Sequence, residues 1–132
     1  MTALTYLSGP WRDEVEKRLK ADLSPEKMNF ISSSMSNIYT NCPDGKNHFL
    51  FFQFEAGIFK TVLTGTQEPP KAEFRITGDY QVFAKISRSE LGSQKALMTG
   101  KLKLKGNMIK ALKLASVADR INKVVATIDA QY

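Results

Sequence analysis

Between Asn47 and Gly65 the chain reads NHFLFFQFEAGIFKTVLTG, with phenylalanine at 49, 51, 52, 54 and 59. Aromatic side chains on both phases of Asn47 to Glu55 predict a strand covered on both of its faces. Ala56-Gly57 makes a tight turn, and IFKTVLTG, Ile58 to Gly65, returns as the next strand. Just upstream, Asn41-Cys42-Pro43-Asp44-Gly45 carries hairpin-turn chemistry, because Asp-Gly readily takes the positive φ of a tight loop. A meander of strands therefore occupies the middle of the chain.

Helical signals flank it. Ser8-Gly9-Pro10 opens a helix, where a proline gives up no needed N–H, and Asp13, Glu14 and Glu16 favour the positive end of its dipole. Trp11, Val15 and Leu19 recur every four residues as a narrow apolar stripe that ends near Leu23. Ser24-Pro25-Glu26 reads as a second helix start, with Met28, Ile31, Met35 and Ile38 at helical spacing. The serines at 32 to 34 weaken that helix, and a strand before Tyr39 is the alternative. Downstream, TQEPPK is a loop, since adjacent prolines end a ladder. AEFRIT, Ala72 to Thr77, alternates with Phe74 and Ile76 on one face. Asp79 caps a helix with Tyr80, Phe83 and Ile86 inward. A short helix spans Ser93 to Met98. KLKLK, Lys101 to Lys105, is the last strand, with Leu102 and Leu104 on one face and the lysines on the other. Asn107 caps a long final helix to about Ile128, striped by Leu114, Val117, Ile121, Val124 and Ile128. The expected fold is α+β, a five-stranded, mainly antiparallel sheet with helices packed on one face.

At 132 residues the chain is expected to form one domain with a core of its own. Its single cysteine, Cys42, forms no internal disulfide, and the N-terminus lacks the charged and apolar regions of a signal peptide. No window approaches the roughly 18 apolar residues of a spanning helix. These features lead us to expect a cytoplasmic protein. The net charge of +6 is concentrated between Lys85 and Lys123, where ten Lys or Arg face two acids. A basic third suits nucleic acid, an anionic membrane or an acidic small molecule, and equally a solvated face. Nucleic acid is not expected, because KLKLK lacks the interleaved aromatics that stack on bases.

Catalytic patterns are sparse. His48 is the only histidine, and with Cys42 it falls short of the three or four ligands of a metal site. No phosphate loop, dinucleotide fingerprint or nucleophile elbow is present. The expectation is no enzyme, no metal and no cofactor.

AEFRITGDYQVFAKISRSELGSQKALMTGKLKLKGNMIKALKL, Ala72 to Leu114, resembles the second half of the sterol carrier protein 2 family, most tellingly in ALMTGKLKLKGNMIKALKL. The resemblance implies an apolar cavity between the sheet and the C-terminal helix. It implies non-enzymatic binding, and transfer, of fatty acids, acyl-CoA, phospholipid or sterol-like lipids. The cavity residues it points to are Phe74, Ile76, Phe83, Leu97, Met98, Leu102, Leu104, Met108, Leu112 and Ala115, although each would serve equally as packed core. Lys101, Lys103 and Lys105 are then candidates for an anionic head group or membrane surface, or for protection of an edge strand. Residues 1–35 form a helical preamble longer than that family needs, before a core of 36–132. The final Ala130-Gln131-Tyr132 differs from the serine–lysine–leucine tail of peroxisomal members. An accessory role is the alternative: presenting a lipid intermediate to partner enzymes, or forming a homodimer through the stripe from Leu114 to Ile128.

Overall fold

The computed structural model describes residues 3–132, the side chains of Lys113 and Ala115 excepted. A two-residue strand, β1 (Leu4–Thr5), leads into α1 (Gly9–Asp22). Ser8 caps α1 by accepting the backbone N–H of Trp11, and Pro10 sits in its first turn. Trp11, Val15 and Leu19 are buried, while Arg12–Glu16 and Arg18–Glu14 pairs lace the opposite face. The predicted stripe is thus the face that docks.

The second predicted helix does not form. Residues 25–30 are turns, and β2 (Ser33–Thr40) begins where helical spacing had been read through Met35 and Ile38. The physical reason is pairing. Serines are poor in helix interiors, and this strand gains ladders on both sides, antiparallel to β3 (His48–Glu55) and parallel to β5 (Phe74–Asp79). β4 (Ile58–Gly65) follows β3 across the Ala56–Gly57 turn. The sheet is completed by β6 (Leu102–Lys105), giving the order β4-β3-β2-β5-β6. Only the β2–β5 pairing is parallel within this sheet.

Met35, Asn37 and Tyr39 of β2 share one face with Leu50 and Phe52 of β3 and with Phe74 and Ile76 of β5, as the register requires. On the opposite face Phe51 pairs with Ser36, and the Ser36 hydroxyl donates to the Pro70 carbonyl at 3.1 Å. The prolyl loop therefore lies against this part of the second face, as the doubled aromatic pattern of β3 demands.

Four helices join α1 on the first face: α2 (Tyr80–Ser87), α3 (Ser93–Met98), α4 (Met108–Lys113) and α5 (Ala115–Ala126). Asp79 and Asn107 cap α2 and α4 through side-chain oxygens, as expected. The single long final helix is corrected to two, joined at Leu114, which ends one and begins the other. The stripe Leu114, Val117, Ile121, Val124 and Ile128 is buried inside the chain, so it offers no free surface for a second copy. A last short strand, β7 (Ala130–Gln131), pairs in parallel with β1 and ties the two ends of the described chain together.

Candidate functional site

Two small hollows lie between the first face of the sheet and the helices. One, of about 60 Å³, is walled by Asn37, Tyr39, Leu50 and Phe52 of the sheet and by Phe83, Ser87, Ile121 and Asn122 of the helices. We call it the polar lobe. The other, of about 80 Å³, is walled by Phe74, Leu104, Leu97, Ala111, Leu112 and Leu114, and is the apolar lobe. Met35, Ile76, Ser93, Leu102 and Ala118 belong to the walls of both, so the lobes are neighbours. Among the described side chains no charged residue lines either.

Of the ten residues singled out in the sequence, Phe74, Ile76, Leu97, Leu102, Leu104 and Leu112 meet around the apolar lobe, and Phe83 walls the polar one. Met98 and Met108 line neither lobe; they stand on the surface, 75% and 47% exposed. Met98 is the last residue of α3, and Met108 is the first of α4, directly after its Asn107 cap. The side chain of Ala115 lies outside the described residues. Lys101, just before β6, and Lys103 and Lys105 on it are exposed, and none of the three lines either lobe.

The space is narrow where close contacts make it so. Gly78 of β5 lies under Leu102 and Phe83: a Cβ there would stand 2.5 Å from Leu102 Cδ2. At the other end, Gly106 joins β6 to α4 at φ +137°, and a Cβ would meet Phe74 Cδ1 at 2.7 Å. Only glycine passes that corner without strain. Beyond it Lys110 of α4 pairs with Glu73 at 2.5 Å, and Ser33 also donates to that carboxylate. Together they hold the Glu73 carboxyl below its usual range, the Lys110 contact being the larger cause. α4 is thus a six-residue helix set between Gly106 and Leu114, with an exposed ion pair to Glu73.

The SCP-2 sterol transfer family matches residues 14–119, a span that takes in the sheet, α2, α3, α4 and the start of α5. The chain belongs to this family. Its members bind and transfer lipids or other hydrophobic molecules. A crystal structure of sterol carrier protein 2 superposes with a TM-score of 0.81 at 20% identity, covering 93% of this chain and 98% of that one. A conserved hypothetical protein of Thermus thermophilus, described as possibly a sterol carrier protein, gives 0.81 at 19% identity, covering 99% and 94%. The palmitated sterol carrier protein 2-like 2 of Aedes aegypti gives 0.57 at 18%, covering 80% and 91%. At these identities the structures speak for the fold. No curated protein matches the chain.

Several wall residues of this family member escaped the sequence reading. Met35 and Asn37 fall where helical spacing competes with a strand before Tyr39, and the alternation of Met35, Asn37 and Tyr39 is the signal available. Ala118 is a small residue one turn beyond Leu114, easily passed over in favour of the larger members of the stripe. Outside the lobes, Cys42, Asp44 and His48 do share a groove of about 540 Å³ with Tyr6, Tyr80 and Tyr132. His48 Nε2 lies 2.7 Å from Asp44 Oδ2. The Cys42 thiol donates to the Tyr39 carbonyl at 3.4 Å, and burial pushes its pKa up, the opposite of what an activated nucleophile needs.

Proposed function

We propose that this protein is a non-enzymatic carrier that holds one hydrophobic ligand, a fatty acyl chain or sterol-like body, in the paired lobes between sheet and helices. The observation that carries this reading is an interior space bounded on the apolar side by Phe74, Leu97, Leu102, Leu104 and Leu112, with no charged wall among the described side chains. Burying ten methylenes there is worth about 8 kcal/mol before the costs of association. A lined space with few polar anchors accepts many tails, which suits transfer over tight selection.

Ligand sites are usually on the order of 300–1,000 Å³, well above either lobe, so loading in this account requires α4 to swing out about Gly106 and Leu114. Exposed Met108, Ile109 and Leu112 on α4, and Met98 at the end of α3, then meet the bilayer interior while Lys101, Lys103 and Lys105 face anionic head groups. The setting we propose is the cytoplasmic face of a membrane. Organic extraction of the protein as purified, followed by mass spectrometry, tests the reading. Near-stoichiometric lipid is expected. Extracts without lipid, together with failure to take up an added acyl chain, would contradict it.

A further inference from the structure

At about 540 Å³ the groove between β1, β7 and the β2–β3 turn is large enough for a small ligand as it stands. Its wall shares no residue with either lobe. Three tyrosines contribute to it: Tyr6 after β1, Tyr80 at the start of α2 and Tyr132 after β7. Their rings form one cluster, Tyr6 lying edge-on to Tyr80 with centroids 5.6 Å apart and tilted against Tyr132 at 4.5 Å. Leu7, also in the wall, holds φ +67°, a left-handed backbone that a leucine adopts only where its surroundings impose it.

The charge in this wall runs against that of the chain. Asp44 lines the groove, about half exposed, and no lysine or arginine lines it among the described side chains, although the net charge is +6. Asp44 Oδ1 accepts the Lys46 backbone N–H at 3.0 Å, and Oδ2 lies 2.7 Å from His48 Nε2. The Lys46 N–H first, and then His48, hold this carboxyl below its usual range, so it stays ionised and in place. Asp79 adds a second negative field: burial pushes the Cys42 thiol up, and the Asp44 and Asp79 carboxylates push it further. Arg88, outside the wall, is paired with Glu90 at 2.5 Å and lies over the Tyr132 ring, 4.9 Å from its centroid. The tyrosine cluster therefore already takes one cation from the protein itself.

We propose that this groove binds a small organic cation of the trimethylammonium class, its methyl groups against the tyrosines and its charge countered by Asp44. A quaternary nitrogen spreads its charge over methyl groups and needs no hydrogen-bond acceptor, which suits a carboxylate whose two oxygens are already engaged. An anion would be repelled by Asp44, and a neutral guest gains nothing from it. The ammonium group comes either as a free cation or as the head group of a choline-type lipid.

Chemical-shift titration of the native protein at about pH 8, where an imidazole is ordinarily neutral, tests the proposal. The probes are choline, glycerophosphocholine and dimethylbutanol, the neutral alcohol in which carbon replaces the choline nitrogen. Choline is expected to move the amide signals of Asp44, His48 and Tyr132 saturably, and to bind at least about tenfold more tightly than the alcohol. Asp44→Asn keeps the turn, since Asn-Gly serves it as Asp-Gly does, and is expected to bring choline down to the affinity of the alcohol. Tyr132→Leu is expected to weaken choline more than the alcohol, because only the cation gains from the ring. Tighter binding of glycerophosphocholine than of choline assigns the site to a lipid head group, the reverse order to a free cation, and either supports the proposal. It is overturned if choline and the alcohol bind equally, if Asp44→Asn binds choline unchanged, or if neither choline nor glycerophosphocholine gives saturable shifts in the groove.

Discussion

Ala118 is the residue on which the account turns most narrowly. It lies on α5 one turn after Leu114, its backbone N–H bonded to the Leu114 carbonyl at 2.9 Å, and it belongs to the walls of both lobes. Its small side chain is shared by both walls. Ala118→Phe should fill the junction with an aromatic ring and reduce acyl-chain uptake at least about tenfold. Thermal stability should change by no more than the roughly 1–3 kcal/mol that overpacking costs, and less if the void absorbs the ring. Uptake measured with a fluorescent acyl probe, beside a melting curve, separates blockage from unfolding. Position 118 also marks where the sequence was hard to read. Large apolar residues announce a core, whereas a cavity is announced by a small residue among them, and a lone alanine on a helix has many uses.

At the scale of elements, α4 differs from its neighbours. Helices α1, α2 and α5 bury their apolar stripes, but α4 leaves Ile109 69% exposed and depends on Asn107 for its cap and on Lys110–Glu73 for its anchor. Because Glu73 has a folded-state pKa below its unfolded one, near 4.3, its contribution is present above that value and disappears as pH falls through the folded pKa. The pair is largely solvated, so its worth is on the order of 0.5 kcal/mol, enough to bias a hinged six-residue helix and too little to unfold the domain. Amide exchange in α4 should therefore accelerate as pH falls below the ordinary glutamate range while exchange in α5 is unchanged. In Glu73→Gln the faster α4 exchange should be present already at pH 7. Uniform acceleration across both helices would argue against a separately hinged α4. The break at Leu114 could not be read from periodicity because Leu114 fits the pattern on either side of it. The misread helix over 24–35 has a related cause: Met28, Ile31 and Met35 keep helical spacing, yet β2 is decided by its two partner strands, which no local window contains. By contrast, Asp79, Asn107 and the Ala56–Gly57 turn are local chemistry, and the structure has each where the sequence put it.

For the molecule as a whole, charge and apolar surface converge on one corner. Exposed lysines of β6, exposed Met98, and the exposed residues of α4 lie around the end of the sheet that carries the apolar lobe. Edge strand β6 has only β5 as partner, so its lysines also guard against edge-to-edge pairing. Charge reversal at Lys101, Lys103 and Lys105 to Glu should weaken binding to vesicles rich in anionic lipid, by up to roughly 1 kcal/mol per lysine, and leave acyl-chain affinity in solution unchanged. Unchanged vesicle affinity would confine these lysines to edge protection. Everything else depends on a hydrophobic guest lying between sheet and helices, and methyl NMR observes that directly. Titration with a monoacyl phospholipid below its micelle concentration should shift the methyl signals of Ile76, Leu102, Leu104 and Leu112 in a saturable, one-to-one manner, with Leu63 on the far face silent. Shifts confined to surface methyls, or spread without saturation, would contradict the account.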